Sequence, residues 1–87
     1  MYILKCRDGS FYVGSTWNID RRLAQHQRGE GAGYTRRRLP VELVHLEECA
    51  RIDDAFRREK QVQNWSHAKR QALIDDDQEA LRRLSRS

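Results

Sequence analysis

The chain has 87 residues, and its 17 Lys and Arg against 13 Asp and Glu give a formal net charge of +4. We expect a single domain over residues 1–87, because this length holds one hydrophobic core. No apolar run approaches the ~20 residues of a membrane span, and the apolar stretch at residues 1–4 is too short for a signal peptide. These absences predict a cytoplasmic protein with no membrane partner.

The N-terminal segment predicts a β-hairpin. Two runs rich in aromatic and β-branched residues, 1–6 and 11–15, flank a turn that contains Gly9. A two-residue turn would place Tyr2 and Tyr12 on opposite faces of the hairpin. A three-residue loop, with Gly9 in the left-handed bulge position, would place both tyrosines on one face. We favour the three-residue loop because Gly9 suits it.

The later elements follow from capping residues and apolar spacing. A helix is predicted over residues 19–28, then a loop over 29–39 and a third strand over 41–48. Asn18, Asp53 and Ser66 are the predicted N-caps. The remaining helices are predicted over three ranges: 54–65, 67–75 and 78–84. The order β-β-α-β-α-α, before the short last helix, predicts an α+β fold with a small, mainly antiparallel sheet.

The helix predicted after Asp53 has a glutamate in its apolar stripe. Position 59 falls between apolar residues of that stripe: Ile52, Ala55, Phe56, Val62 and Trp65. Burial of an unpaired carboxylate is costly. Glu59 must therefore be paired, bound to a metal or placed at the edge of a cleft. The commoner arrangement is a glutamate that reaches solvent or pairs with Arg58 or Arg22.

Other candidate residues have ordinary structural explanations. Tyr2 and Tyr12 favour strands, so core packing is their default role. Gly14 is unusual inside a strand and indicates a bulge or the close approach of a ligand. Arg22 and His26 lie four residues apart on one helix face and could contact phosphate, although such a face is usually solvated.

The cysteines and histidines show no metal-binding spacing. Cys6 and Cys49 form neither a CxxC pair nor a disulfide framework, so both are predicted to be free, buried thiols. The three histidines have no ligand spacing with one another or with the cysteines, so we expect no zinc site. The arginines at 36–38 are typical of a solvated loop. Together with Arg21, Arg28, Lys69 and Arg70, they could instead form a rim for a nucleic-acid backbone.

Taken in chain order, these residues resemble the GIY-YIG nuclease family. Tyr12-Val13-Gly14 begins ten residues after Tyr2, Arg22 follows ten residues later, and His26 and Glu59 come after it. The resemblance covers residues 2–74 and is closest to the small single-domain bacterial members. Further matching segments are Tyr34-Thr35, Arg58-Glu59-Lys60-Gln61 and Trp65-Ser66.

The resemblance implies a three-stranded antiparallel sheet flanked by helices and hydrolysis of phosphodiester bonds in DNA with one Mg²⁺ or Mn²⁺ ion. Transferred residue by residue, it implies that Glu59 binds the metal and that Tyr12 is the general base or orients the attacking water. Arg22 would stabilise charge on the scissile phosphate. Tyr2 and His26 would position water, phosphate or the leaving group by hydrogen bonds.

Exposed basic and aromatic side chains are the candidate contacts to nucleic acid: Arg21, Tyr34, Arg36, Arg37, Arg38, Lys60 and Lys69. The first hypothesis is a DNA endonuclease, structure-specific in repair or recombination, with a partner protein that adds specificity. The alternative is a non-catalytic nucleic-acid-binding module with the same fold, since Met1-Tyr2 lacks the Gly and Ile that normally precede the first tyrosine. A third possibility is a protein-interaction domain whose basic face is incidental.

Overall fold

The computed structural model describes residues 1–85, in which three strands form one antiparallel sheet. The strands are β1 (Tyr2–Lys5), β2 (Phe11–Gly14) and β3 (Glu42–Leu46), and their order in the sheet is β2-β1-β3. Both neighbouring pairs are antiparallel. The predicted α+β class and antiparallel sheet are confirmed. The third strand is shorter than the predicted 41–48.

Five helices surround this sheet in the described part of the chain: α1 (Ile19–Gln27), α2 (Gly33–Arg36), α3 (Ile52–Gln63), α4 (His67–Ile74) and α5 (Gln78–Leu84). Asn18 and Ser66 accept the capping bonds predicted for α1 and α4. The predicted cap at Asp53 is wrong, because α3 begins earlier with Arg51 as its N-cap residue. Asp53 instead lies in the first turn, where its charge complements the helix dipole. The single turn of α2 was predicted as loop.

The register of the hairpin confirms the three-residue loop. Tyr2 lies opposite Gly14, and Leu4 lies opposite Tyr12. Gly9 has φ +85°, a backbone conformation that residues with a Cβ rarely adopt. Both tyrosines therefore lie on the same face of the sheet, as the bulged loop requires.

Each face of the sheet has its own hydrophobic cluster. On one face, Tyr2 and Leu4 pack with Ile19 and Leu23 of α1. On the other, Ile3 and Val13 pack with Val62 of α3. The site residues consequently come from two layers, which meet where β2 ends.

Two sequence predictions about burial are wrong. Cys6 is buried as predicted, but Cys49 is exposed between β3 and α3. Phe56 lies 52% exposed although it was assigned to the inward stripe of α3. The buried positions of that helix are Ala55, Glu59 and Val62, which leaves Phe56 at the edge of the buried face. Within residues 1–85, no helix has both the length and the apolarity needed to cross a bilayer.

Candidate active site

A buried chain of hydrogen bonds links three side chains from β1, α1 and α2. The Tyr2 hydroxyl lies 2.9 Å from His26 Nε2, and His26 Nδ1 lies 2.8 Å from the Thr35 hydroxyl oxygen. The Thr35 hydroxyl donates to the backbone carbonyl of Ala32 over 3.0 Å. All three side chains are almost completely inaccessible to solvent.

The carbonyl at the end of this chain determines the direction of every bond. A carbonyl oxygen only accepts, so the single proton of the Thr35 hydroxyl points to Ala32. Thr35 must then accept from His26, which assigns the ring proton to Nδ1 and leaves Nε2 as an acceptor. Tyr2 therefore donates its proton to His26, and the remaining lone pairs of its oxygen are free to accept.

The pKa shifts of His26 and Tyr2 agree with these bond directions. Burial lowers the pKa of His26, and the positive charge of Arg22 lowers it further, so the imidazole stays neutral. Burial likewise raises the pKa of the Tyr2 phenol, an effect that the neighbouring Arg22 guanidinium partly offsets. Tyr2 is thus a protonated donor rather than a base at neutral pH.

Two glycines make room for this chain. A Cβ on Gly14 would lie 2.6 Å from the Tyr2 hydroxyl oxygen. A Cβ on Gly31 would overlap the His26 ring. The close approach that Gly14 indicates in the sequence is therefore made by the protein's own tyrosine and not by a ligand.

Arg22 and Tyr12 lie beside the buried chain at its solvent side. The Arg22 guanidinium donates to Gln25 over 3.2 Å. Contact with the Tyr2 hydroxyl raises the pKa of Arg22, and the Tyr12 hydroxyl adds to this effect. The half-buried Tyr12 ring packs edge-on against the His26 ring, with centroids 5.3 Å apart. Four of the five predicted catalytic side chains therefore lie together on one face of the sheet.

The fifth, Glu59, reaches the end of β2 from α3. It is 8% exposed, and its carboxylate accepts from Ser15 Oγ over 2.7 Å and from Gln63 Nε2 over 3.0 Å. Neither arginine considered as its partner forms a salt bridge with it, since Arg58 binds Glu47 instead. The negative charge of Glu59 also contributes to the raised pKa of Tyr2, so it acts on the same site.

The donors around Glu59 leave its charge incompletely compensated. Ser15 and Gln63 are neutral, and among residues 1–85 the cation paired with Glu59 is the exposed Lys60, whose Nζ lies 3.5 Å from the carboxylate. A nearly buried carboxylate with neutral partners favours an additional cation. No three His, Cys, Asp or Glu side chains converge on a metal site anywhere in residues 1–85. The Glu59 carboxylate is a residue that could hold Mg²⁺, an ion that commonly uses one carboxylate, several waters and a substrate phosphate.

The predicted nucleic-acid contacts fall into separate groups. Arg21, Arg36, Arg37 and Lys60 are exposed. Arg38 has a structural role, because it stacks 3.8 Å above the Tyr34 ring and pairs with Asp8. Tyr34 in turn stacks beside Tyr12, with ring centroids 6.4 Å apart. Lys69 lies over Trp65 at the junction of α3 and α4 and not beside Tyr12.

Sequence reasoning gave no role to three residues that hold the site together. Ser15, Thr35 and Gln63 each bond a predicted catalytic side chain. Ser15 and Glu59 are 44 positions apart, so no local periodicity relates them. The available signal was that Thr35 stands within a motif segment of the resemblance and that Ser15 directly follows the segment Tyr12-Val13-Gly14.

Comparisons with known proteins show which family this chain resembles. Residues 1–72 match the GIY-YIG catalytic domain. A UPF0213 protein of Natronomonas pharaonis is 46% identical over 77 residues, which cover 88% of this chain and 91% of that protein. A UPF0213 protein of Streptococcus pneumoniae is 39% identical over 91% of this chain and 80% of its own length.

A solved structure shows the same similarity in three dimensions. The solution NMR structure of the UPF0213 protein BH0048 from Bacillus halodurans superposes with a TM-score of 0.56 at 38% identity. The match covers 99% of this chain and 95% of that one. The family match over most of the chain, and the agreement with small relatives of similar length, lead to one assignment: this chain belongs to the GIY-YIG nuclease family.

Proposed function

We propose that the protein is a divalent-metal-dependent endonuclease that hydrolyses phosphodiester bonds in DNA. The observation that supports this most directly is the position of Ser15. Its hydroxyl bonds the carboxylate of Glu59, and its side chain lines the same groove as Arg22. The Glu59 carboxylate, which is proposed to bind the metal, therefore lies next to the groove that Arg22 borders, and Ser15 connects the two.

Glu59 is the proposed metal ligand, and the metal would be Mg²⁺ or Mn²⁺. When bound, such an ion lowers the pKa of coordinated water and offsets charge on the phosphoryl oxygens. Ser15 and Gln63 hold the carboxylate in one orientation by donating one hydrogen bond to each of its oxygens. Each oxygen retains a lone pair for coordination.

Arg22 is the proposed stabiliser of the scissile phosphate. Hydrolysis adds negative charge to the phosphoryl oxygens, and a fixed guanidinium beside them stabilises that charge more in the transition state than in the ground state. Gln25 and the tyrosine hydroxyls limit the orientations of Arg22 before substrate binds. Tyr12 would act as the general base or orient the attacking water, and its half-buried ring packs against the rings of His26 and Tyr34.

We assign Tyr2 and His26 positioning roles, because both side chains are buried and Tyr2 lies beside Arg22. Both ring nitrogens of His26 are used within the protein, and the side chain is buried. His26 is therefore a positioning residue that keeps the Tyr2 proton turned inward. The free lone pairs of the Tyr2 oxygen can then accept from Arg22 or from a water at the site.

A nicking assay tests this function. Supercoiled plasmid and branched DNA substrates should be cleaved with Mg²⁺ or Mn²⁺ and remain intact with EDTA. Glu59→Gln should abolish cleavage, whereas Glu42→Gln, an equal charge change at an exposed position of β3, should not. Faster cleavage of branched DNA would support a role in repair or recombination.

Salt-dependent DNA binding without cleavage in any divalent metal would overturn the proposal. It would assign the alternative role of a non-catalytic nucleic-acid-binding module.

A further inference from the structure

A groove of about 410 Å³ extends outward from the proposed catalytic residues. It is bordered by the segment after β2, by α1 and by α3, and its lining includes Ser15, Trp17, Arg21, Arg22 and Phe56. Its volume falls within the range of about 300 to 1,000 Å³ that is typical of ligand sites. The groove is therefore large enough for a planar group of a substrate held at Arg22.

Two aromatic rings in this groove face solvent. Trp17 is 80% exposed and Phe56 is 52% exposed, the two highest values among the large hydrophobic side chains of the described residues. Neither ring belongs to the hydrophobic clusters of the sheet. Exposed aromatic groups gathered at a concave surface indicate binding of an apolar or planar partner.

The charge of the groove narrows the class of partner. Its lining contributes two guanidinium groups, from Arg21 and Arg22, and no carboxylate within residues 1–85. Trp17 also borders a second cavity, of about 280 Å³, whose lining includes Glu47, Glu48 and Arg51. The first cavity has only cationic charges in its described lining, whereas the second has charges of both signs, so an anionic chain would follow the first.

We propose that this groove holds unpaired nucleotides of a DNA strand next to the cleavage site, with bases stacked on Trp17 and Phe56 and the backbone against Arg21. The inference rests on the proposed function for its choice of DNA. Aromatic stacking requires a free base face, which a single strand offers and an intact duplex does not. The protein should therefore prefer single strands, gaps or flaps to continuous duplex.

Binding measurements in EDTA test this preference separately from cleavage. The probes are a fluorescently labelled single-stranded DNA oligonucleotide and its matched blunt duplex, followed by anisotropy at constant salt. Trp17→Ala should weaken single-strand binding roughly fivefold to a hundredfold, the effect of losing one stacked base. Duplex binding should stay nearly unchanged, and Trp17→Phe should retain most of the affinity. Leu84→Ala, at an exposed apolar residue of α5, is the matched control and should alter neither.

Trp17 fluorescence gives a second readout. The chain has two tryptophans, so a Trp65→Phe variant makes Trp17 the sole emitter, and single-stranded DNA should quench it. The proposal would be overturned if Trp17→Ala lost affinity equally for single-stranded and duplex DNA, or if it lost no affinity for single-stranded DNA. Tighter binding of the matching RNA would overturn the choice of DNA, and self-association lost in Trp17→Ala would assign the surface to a second copy of this chain. These binding measurements do not involve cleavage, so the nicking assay of the Glu59 variant tests the proposed function separately.

Discussion

The Tyr2 hydroxyl donates its only proton to Nε2 of His26, 2.9 Å away, at a point where neither side chain reaches solvent. The bond depends on one tautomer of the imidazole, which Thr35 selects from the other side of the ring. Strand β1, helix α1 and helix α2 are thereby coupled through three side chains. A change in Thr35 should consequently alter a tyrosine that it does not contact.

Replacing Thr35 tests this coupling. Thr35→Val removes the acceptor for His26 Nδ1–H in a buried position, at a cost of about 1–3 kcal/mol in unfolding free energy. Thr35→Ser keeps the hydroxyl and should preserve the tautomer. Long-range ¹H–¹⁵N NMR spectra of the ring should report the Nδ1–H form in the wild type and in Thr35→Ser, and a shift toward Nε2–H in Thr35→Val. An Nε2–H wild-type ring would contradict the assigned bond directions.

Glycine substitutions test the space around the same chain. Gly14→Ala places a methyl group against the Tyr2 hydroxyl, and such overpacking typically costs about 1–3 kcal/mol. Gly33→Ala is the control, because a Cβ there meets nothing within 4 Å. In the helical turn of α2 this control should be neutral or stabilising by up to about 1 kcal/mol. Urea unfolding measures both, and equal stability of the two variants would contradict the close approach.

The pKa of His26 predicts how stability depends on pH. Because burial and Arg22 lower the pKa below its ordinary value of 6.5, the unfolded state takes up this proton before the folded state does. The stability that the neutral His26 contributes is therefore fully present above pH 6.5. It is lost as the pH falls from 6.5 toward the lower pKa of His26 in the folded state. His26→Gln should unfold more easily at neutral pH yet lose less stability on acidification through this window. Urea unfolding over a series of pH values measures this, and an unchanged slope in His26→Gln would contradict the lowered pKa of His26.

Adjacent arginines of α1 should have different kinetic roles. Arg22→Ala should lower kcat by about a hundredfold or more, the usual effect of removing a donor to transition-state charge. Arg21→Ala should leave kcat unchanged, weaken DNA binding and reduce the slope of log K against log salt by about one. Single-turnover cleavage and salt titrations separate the two roles. Equal losses of kcat in both variants would indicate that Arg22 acts only through general charge.

Glu59 and Arg22 should act in one step. A Gln at position 59 can turn its amide group toward the Ser15 oxygen and its carbonyl toward the Gln63 amide, so we expect Glu59→Gln to fold. The double variant Glu59→Gln, Arg22→Ala should cleave DNA about as slowly as the worse single variant, because groups that act together lose rate non-additively. Fully multiplicative losses would show that the two residues act in separate steps.

Local chemistry made part of this structure predictable. Gly9 suits the three-residue loop that places both tyrosines on one face, and its positive φ agrees with that loop. Ser66 marks the start of α4, and the predicted range 78–84 coincides with α5. The helical turn of α2 was missed because its N-cap residue, Ala32, has no capping side chain and glycines surround it.

The site was less predictable because its bonds join distant parts of the chain. The stripe position of Glu59 indicated a special environment, but its neutral partner Ser15 lies 44 positions away. Tyr2 and His26 are likewise hydrogen-bonded across 24 positions, so no local pattern relates them. Only the order of residues shared with a family suggested that these side chains meet. The exposure of Trp17 and Phe56 depends on how α1 and α3 pack relative to β2. No local sequence pattern specifies this packing.

The first residue of the chain is built into the sheet. The Met1 amino group donates to the Glu47 carbonyl over 3.0 Å, the Glu47 amide returns a bond of 2.8 Å to Met1, and the Met1 side chain is buried. Any residues joined before Met1 would therefore lie close to Tyr2 and to this pairing with Glu47. Purification tags for kinetic work are therefore better attached after α5, which packs on α4 and supplies no residue to the Tyr2–His26–Thr35 chain.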